Sequence, residues 1–228
     1  MTIPEITPEQ VKTLQDVKYL KLYDIEYAAG RHYYAASRRS PDELTALQSE
    51  DAVKKRGADA VSIFVILTAA GKEPRLLLTY EYRYPVGGFL LSIPAGLVDP
   101  EDRLSRTPLL TAAAREIREE TGLTVGPEDD LYVVNPLLFS SPGITDESNA
   151  LIAAVLKEPD LSALSQAGAV GGECFDGFCP VTLSEAQALL ARGLDDRGHF
   201  LPIFTFCALQ YFVSGAWKRS SGASVPSK

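Results

Sequence analysis

One stretch of twelve residues, Ala112–Leu123, constrains the fold of this chain more than any other. Its sequence, AAAREIREETGL, combines alanine, arginine and glutamate and then reaches a glycine at position 122. The first three residue types are good helix formers, and glycine is the usual residue at the left-handed position just after a helix. The pattern predicts a helix that ends at Gly122.

Three carboxylates share one side of this predicted helix. Glu116 is four residues from Glu120 and three from Glu119, and both spacings bring side chains together on a helix. Like charges at these spacings repel each other unless a positive group lies between them. Flanking arginines can relieve the repulsion, and so can a hard divalent cation such as Mg²⁺ or Mn²⁺, which prefers oxygen ligands. An ordinary solvated, salt-bridged helix face is the alternative interpretation.

The loop before the helix and the helix itself together resemble a known signature. Pro94–Asp99 reads PAGLVD, and Arg115–Leu123 reads REIREETGL. This combination is similar to the Nudix box of the Nudix hydrolases, in which a glycine, a spacer and the pattern R-E-aliphatic-x-E-E-x-G-aliphatic form a loop–helix–loop. The nine residues of the second half match throughout.

The first half of the signature departs from the family pattern. In the family a glutamate stands eight positions before the arginine and the glycine fourteen before it, whereas these positions hold Thr107 and Glu101 here. Gly96 precedes Arg115 by nineteen residues, so the loop contains about five extra residues. The first glutamate of the box is therefore unmatched, and Glu101 and Asp102 are its possible replacements.

The resemblance implies a set of metal ligands on the helix. Glu116 and Glu120 are the leading ligands of Mg²⁺, for which Mn²⁺ is a possible substitute. Glu119 is a further ligand or a catalytic residue that acts through bound water, and the Ala95 carbonyl resembles the family's backbone ligand. Arg115 is expected to orient a carboxylate rather than to contact the substrate.

A general base is expected from a later loop. In the ADP-ribose pyrophosphatase branch of the family, a glutamate from a late flexible loop approaches the attacking water. The glycine-rich segment Ala163–Glu173 resembles that loop. Glu173 is the predicted base and Asp176 is the reserve, and the alternative is that both are solvent-facing acids.

The same branch suggests substrate contacts. Arg83 resembles an arginine before the box that binds phosphate, a task that suits a guanidinium group. The segment 140–149, SSPGITDESN, resembles a loop beside the cleft that contacts the substrate, which makes Glu147 a candidate; on composition it is also an ordinary connection between strands. Gly96, which permits a tight turn, is expected beside the substrate.

Patterns of apolar residues predict the surrounding architecture. Ala58–Thr68 is a continuous apolar run typical of a strand buried on both faces. Strands before and after the box helix, with helices near the end of the chain, indicate an α/β/α sandwich with a mixed sheet. The other predicted strands are Leu76–Tyr84, Phe89–Ala95, Leu131–Phe139, Ala150–Leu156 and Phe175–Val181, and the later helices are one capped by Thr182 or Ser184 and running through Ala191, and Phe200–Val213.

The N-terminal part is expected to form a separate β-rich segment. Val17–Tyr27 and His32–Arg38 flank Gly30 and predict a hairpin, while 40–56 is predicted to be a connector. By resemblance, residues 1–57 help to form a homodimer and residues 58–217 form the Nudix domain. The Ser, Gly and Pro content of residues 218–228 predicts a disordered tail.

Composition limits the classes of function. A net charge of −8 argues against general binding of nucleic acid, which needs a basic surface. The chain lacks a long apolar stretch and a signal-peptide pattern, so we expect a cytosolic protein without a membrane segment. Three cysteines without paired spacing do not suggest a disulfide scaffold or a zinc site.

The predicted function is Mg²⁺-dependent hydrolysis of a nucleoside diphosphate linked to another group, with ADP-ribose giving AMP and ribose 5-phosphate as the leading reaction. Another nucleotide sugar or a dinucleotide would fit the same chemistry. The alternatives from other classes are a non-catalytic Nudix module that binds ADP-ribose or a protein partner, and a structural protein with a charged helix.

Overall fold

Two compact units make up the part of the chain that the computed structural model describes, residues 5–169 and 172–218. The first unit contains the chain up to Asp59 together with residues 136–150, and the second contains 60–135 and the residues from 151 onward. The predicted tail lies, from residue 219, outside the described residues.

The first unit contains a three-stranded antiparallel sheet. Its strands are β1 (Val11–Val17), β2 (Leu20–Ala28) and β3 (Arg31–Ser37), and they are paired in that order. The predicted hairpin is confirmed, with Gly30 in the left-handed region at φ 68°. The sequence did not predict β1, because its side chains are mostly exposed and polar and therefore give no apolar alternation.

The predicted connector between residues 40 and 56 is partly wrong, because it contains a helix, α1 (Glu50–Arg56). The Ser49 hydroxyl accepts a hydrogen bond from the Ala52 N–H at 3.2 Å, and acidic residues in the first turn and basic residues in the last turn suit the helix dipole. These signals are local and are present in the sequence.

The second unit is built on a mixed sheet. Strands β10, β5, β4, β9 and β8 are neighbours in that order, β6 pairs with β5, and β7 pairs with β4. Ala60–Ile66 are buried, as predicted for a central strand. The strand bounds are β4 (Ala60–Thr68), β5 (Arg75–Arg83), β6 (Gly88–Ser92), β7 (Ala95–Leu97), β8 (Asp130–Phe139), β9 (Ser148–Lys157) and β10 (Phe175–Val181).

The predicted strand Phe89–Ala95 is divided into β6 and β7 at Ile93 and Pro94. Proline has no N–H to donate, and the Pro94 carbonyl accepts a hydrogen bond from the Ile63 N–H at 2.8 Å. The chain therefore leaves β5 at this point and joins β4, which places Ala95 and Gly96 directly before the loop that leads to the next helix.

Three helices belong to the second unit: α2 (Pro108–Thr121), α3 (Leu183–Arg192) and α4 (Ile203–Ser214). Helix α2 packs against β4 and β7, and α4 packs against β4, β5 and β6. The predicted α/β class is confirmed, together with the separate small sheet. Within the described residues, each helix is too short or too polar to cross a lipid bilayer.

Candidate active site

The C-terminal half of α2 carries the carboxylates predicted from the sequence. The helix ends at Gly122, whose φ of 74° and bond from its N–H to the Arg118 carbonyl form the predicted left-handed cap. Glu116 and Glu120 are buried, and Glu119 is about one quarter exposed. Glu116 and Glu119 both accept hydrogen bonds from Arg115, and the charge of Glu116 raises the pKa of Glu120. These contacts are consistent with three carboxylates on one side of the helix.

The β7 strand brings the backbone against this side of the helix. A Cβ atom built on Gly96 would lie 1.8 Å from Glu116 Oε1 and 2.1 Å from its Cδ. The Ala95 backbone donates a hydrogen bond to the Glu120 carboxylate. Glycine at position 96 is thus required by the close approach of the Glu116 carboxylate, not by an unusual φ.

Arg115 is the cation that holds two of the carboxylates. Its Nη1 donates to Glu116 Oε1 at 2.8 Å and to Glu119 Oε2 at 3.0 Å. Its Nη2 donates to the Leu97 carbonyl and to Asp102 Oδ2, each at 2.9 Å. Burial alone would lower the pKa of Arg115, but the surrounding carboxylates raise it on balance, so the guanidinium group stays charged.

The carboxylates carry more negative charge than nearby cations neutralise. Burial raises the pKa of Glu120 to about 9, and the charges of Glu116, Glu81 and Glu173 add to this rise. Burial also raises the pKa of Glu116 to about 7, although Arg115 opposes the change. These shifts mean that the site favours an additional positive charge.

The sequence did not identify Glu81 as a site residue. It lies on β5, is 7% exposed, and contributes to the raised pKa of Glu120. Its Oε1 is 2.8 Å from Nη2 of Arg83, which is half exposed. A charged residue in a largely buried strand, two positions from an arginine on the same face, was the signal available in TYEYR.

Glu173 and Asp176, the two predicted bases, have different surroundings. Glu173 is close enough to raise the pKa values of Glu81, Glu116 and Glu120 by its charge. Asp176 Oδ2 instead lies 3.6 Å from Nη1 of Arg197.

The position of Arg197 shows on which face of the sheet the Asp176 carboxylate lies. The Arg197 guanidinium lies over the Tyr80 ring, 4.5 Å from its centroid. Because neighbouring residues on a strand point to opposite faces, Tyr80 lies on the face opposite to Glu81. The carboxylate of Asp176 thus pairs on the Tyr80 side, away from the helix carboxylates.

The start of the loop that carries Glu173 makes several hydrogen bonds to neighbouring backbone. The Ser165 N–H donates to the Thr121 carbonyl at 2.9 Å, and Gln166 bonds both the N–H and the carbonyl of Gly177 at 2.9 and 3.3 Å. A Cβ on Gly168 would lie 2.6 Å from the Glu119 carbonyl oxygen. These contacts hold the start of the segment, and the flexibility expected for Ala163–Glu173 stays a prediction. Gly171 lies outside the described residues.

Glu147 lies in the first unit, where it pairs with Arg38, the residue after β3. Arg38 Nε lies 2.5 Å from Glu147 Oε2, and the Ala36 N–H donates to the Ile144 carbonyl at 2.8 Å. Tyr33 adds a hydrogen bond from its hydroxyl to the Gly143 carbonyl at 2.8 Å. The segment 140–149 is thus held by the N-terminal sheet.

A buried ion cluster also binds this segment. Arg39 Nη2 donates to both carboxylate oxygens of Asp59, at 2.6 and 2.5 Å, and Nη1 lies 3.0 Å from Asp146 Oδ1. Asp59 Oδ2 accepts further bonds from the N–H and hydroxyl of Ser148, each at 2.8 Å.

The donor set of the second unit suits a hard divalent cation, although no three Asp, Glu, His or Cys side chains among the described residues form a complete metal-binding group. The groups that converge here are carboxylates, whose oxygens are donors that Mg²⁺ and Mn²⁺ prefer. Burial raises their pKa values and the charges of neighbouring glutamates add to the rise, and a bound cation would offset both effects.

Comparison with known proteins identifies the family. A model described as the NUDIX domain matches residues 58–202, which is more than half of the chain. The match includes the loop of Gly96, the helix α2 and the segment of Glu173. The chain belongs to the Nudix family.

Individual relatives agree with this assignment. The chain is 36% identical over 149 residues to an uncharacterized Nudix hydrolase of Schizosaccharomyces pombe, covering 64% of this chain and 65% of the relative. It is 34% identical over 107 residues to the ADP-ribose pyrophosphatase of Saccharomyces cerevisiae, covering 46% of this chain and 41% of that protein. The matched part thus spans less than two thirds of these curated relatives.

A solved structure shares the fold. It is described as an ADP compounds hydrolase, and it superposes with a TM-score of 0.56 at 16% sequence identity, covering 96% of this chain and 100% of the other. The similarity extends over both units of the described chain.

Proposed function

We propose that this protein hydrolyses the diphosphate bond of a nucleoside diphosphate linked to another group, with ADP-ribose as the leading substrate and Mg²⁺ as the metal. The observation that carries the proposal is the convergence of Glu116, Glu120, Glu81 and Glu173 beside the Ala95–Gly96 backbone. The names of the yeast pyrophosphatase and of the solved hydrolase support the choice of substrate.

Each residue has a defined task in this proposal. Glu116, Glu120 and the Ala95 carbonyl would hold the cation, with Glu119 as a further ligand; the cation, when bound, neutralises the diphosphate and activates water. Arg83 binds a phosphate oxygen with its guanidinium group.

Glu173 is the proposed general base. Its carboxylate accepts a proton from the attacking water as the new P–O bond forms, and the bridging P–O bond breaks to leave AMP and ribose 5-phosphate. For Glu147 we propose a substrate contact and for Gly96 close approach of the backbone to the site, both by resemblance to the family.

Turnover of a panel of compounds tests this function. ADP-ribose, other nucleotide sugars and NADH are incubated with Mg²⁺, and the products are identified by mass spectrometry with and without EDTA. Release of AMP from ADP-ribose that EDTA abolishes is expected. Binding of ADP-ribose without any product would instead assign a non-catalytic sensor.

Two matched variants test the choice of base. Glu173→Gln is expected to lower kcat by about 100-fold or more, since a general base contributes at least that factor. Asp176→Asn, which removes a carboxylate paired with Arg197, is expected to lower it by less than about threefold. A larger loss of kcat in Asp176→Asn than in Glu173→Gln would assign the role of general base to Asp176.

The proposal also concerns assembly and location. By resemblance, residues 1–57 contribute to a homodimer, which sedimentation analysis would test. The three cysteines, Cys174, Cys179 and Cys207, are free thiols. We also propose a cytosolic location, which subcellular fractionation would test.

A further inference from the structure

The strand that follows the candidate base has an irregular start. On β10, Phe175 lies opposite Glu81 of β5. The next paired residue, Phe178, lies opposite Thr79, so three steps along β10 match two steps along β5. Gly177 lies within this β-bulge and has a φ of 87°, in the left-handed region that glycine adopts readily. The regular ladder between the two strands is therefore interrupted close to the candidate active site.

The side-chain amide of Gln166 bonds the backbone at the bulge. Gln166 Oε1 accepts a hydrogen bond from the Gly177 N–H at 2.9 Å, and Gln166 Nε2 donates to the Gly177 carbonyl at 3.3 Å. A side-chain amide offers an acceptor and a donor together, as the backbone of a neighbouring strand does. Gln166 thus supplies at Gly177 the pair of bonds that a strand partner would supply.

The backbone on both sides of Gln166 lies against the end of α2. The Ser165 N–H donates to the Thr121 carbonyl at 2.9 Å. A Cβ on Gly168 would lie 2.6 Å from the Glu119 carbonyl oxygen, so a larger residue would not fit there. Gln166 therefore connects the end of the helix that carries the candidate metal ligands to the start of β10.

Glu173 lies between the two ends of this connection, seven residues after Gln166 and four before Gly177. The next residue, Cys174, accepts at its carbonyl a hydrogen bond from the Tyr82 N–H of β5 at 2.8 Å. The charge of Glu173 adds to the rise that burial causes in the pKa values of two α2 carboxylates. The chain just after Glu173 is thus held at two points, by Tyr82 and by Gln166.

We propose that Gln166 is a positioning residue for the candidate general base: its amide holds the bulge of β10 against the end of α2 and so keeps Glu173 beside the helix carboxylates. A side chain without both a donor and an acceptor cannot make the two bonds to Gly177. The inference rests on the proposed function, since it assumes that Glu173 is the general base.

The first measurement needs no substrate. Hydrogen exchange of single backbone N–H groups is followed by NMR in the unmodified protein, in Gln166→Ala and in the control Gln187→Ala, which removes the same side chain from an exposed position on α3. Gln166→Ala is expected to speed exchange at Gly177 and at Tyr82 by about fivefold or more, because Gly177 loses its acceptor and Tyr82 bonds the released segment. Gln187→Ala is expected to leave both rates unchanged. Unchanged exchange at Gly177 in Gln166→Ala would contradict the inference.

Kinetics with ADP-ribose give the second measurement. Gln166→Ala is expected to lower kcat by about 10- to 100-fold, because a displacement of about 1 Å at a catalytic group can cost that much. KM and the affinity for Mn²⁺ alone are expected to change by less than about threefold, because the candidate metal ligands and Arg83 lie on other elements. A loss of kcat/KM that comes from KM alone would count against a positioning role.

A double-mutant cycle separates positioning from a general structural role. If Gln166 acts through Glu173, the double variant Gln166→Ala/Glu173→Gln is expected to have a kcat within about threefold of Glu173→Gln alone. Fully multiplied losses would overturn the inference.

A second variant covers the case in which Gln166→Ala does not fold. Gln166→Glu keeps the size of the side chain and an acceptor for the Gly177 N–H, but it loses the donor to the Gly177 carbonyl. It is expected to lower kcat in the same way, and a kcat equal to that of the unmodified protein would refute the positioning role.

The two kinds of measurement also separate this inference from the proposed function. Faster exchange at Gly177 and Tyr82 in Gln166→Ala, in a protein that hydrolyses none of the panel, would contradict the proposed function and support the role of Gln166 in holding the segment of Glu173. Normal exchange and normal kcat in Gln166→Ala, in a protein that hydrolyses ADP-ribose, would overturn the positioning role alone.

Discussion

In the candidate site, a carboxylate lies directly against a glycine. Gly96 has no Cβ, and the Glu116 carboxylate occupies the space that a Cβ would fill. Any larger residue at position 96 must displace this carboxylate. Because Glu116 Oε1 also bonds Arg115, the displacement would disturb the arrangement of both side chains.

Gly96→Ala is therefore expected to reduce kcat/KM by about 100-fold, since a displacement of about 1 Å at a catalytic group can cost that much. The melting temperature is expected to change little, because the displaced atoms are the end of a flexible side chain. Steady-state kinetics and thermal unfolding are the measurements. Gly88→Ala, where nothing lies within 4 Å of the added Cβ, is the control, and an equal loss in it would contradict the prediction.

Glu81 anchors an arginine that is proposed to bind phosphate. Glu81→Gln is expected to raise KM by about tenfold and to leave kcat less affected, because Arg83 loses its charged partner while the bases and ligands remain. Kinetics over a range of substrate concentrations would show this. A fall in kcat at constant KM would instead place Glu81 with the metal ligands.

Among elements, helix α2 is tied to the following loop at its C-terminal end. Gly122 has φ 74°, and a Cβ there would lie 2.3 Å from the Ala163 carbonyl oxygen. Gly193, which ends α3, has φ 75° but nothing within 4 Å of its Cβ position. The two glycines share a backbone conformation and differ in their surroundings.

Gly193→Ala is expected to reduce the free energy of unfolding by about 1 kcal/mol, the cost of the left-handed conformation. Gly122→Ala is expected to cost about 3 kcal/mol, because the loop backbone must also move. Urea denaturation of both variants measures the difference. An equal loss of unfolding free energy in the two variants would mean that the backbone at Ala163 moves away from the added Cβ at little cost.

The elements that the sequence predicted are those with local signals. The end of α2 at Gly122 and the buried strand β4 follow from residues near in sequence. The role of Glu81 could not be predicted in the same way, because it depends on partners that the fold brings close. Exposed β1 has no apolar pattern, whereas the capping signals of α1 are present in the sequence.

At the scale of the whole molecule, the buried acids make stability depend on pH. The pKa of Glu120 in the folded protein, about 9, is above its ordinary value of 4.5. The folded state therefore binds more protons than the unfolded state between these values, and its stability is fully present below the lower value and is lost as the pH rises through the higher one.

The protein freed of metal by EDTA is expected to lose stability, by roughly 3 kcal/mol, between pH 5 and pH 7, and to lose more up to pH 9. Glu120→Gln should flatten this dependence and raise the melting temperature at pH 8, because it removes the titrating group. Thermal unfolding across this pH range is the measurement. Exposed Glu128→Gln is the control, and a stability that rises with pH would contradict the prediction.

The chain passes from the first unit to the second and back again, and this affects how the two units can be expressed separately. The polypeptide completes most of the first unit by Asp59, yet residues 136–150 return to that unit and contribute Asp146 and Ser148 to its ion cluster. No single cut therefore yields either unit intact. A fragment that starts at residue 60 still contains residues 136–150 but lacks the N-terminal sheet to which they belong. Separate expression of the second unit therefore requires replacing these fifteen residues with a short turn.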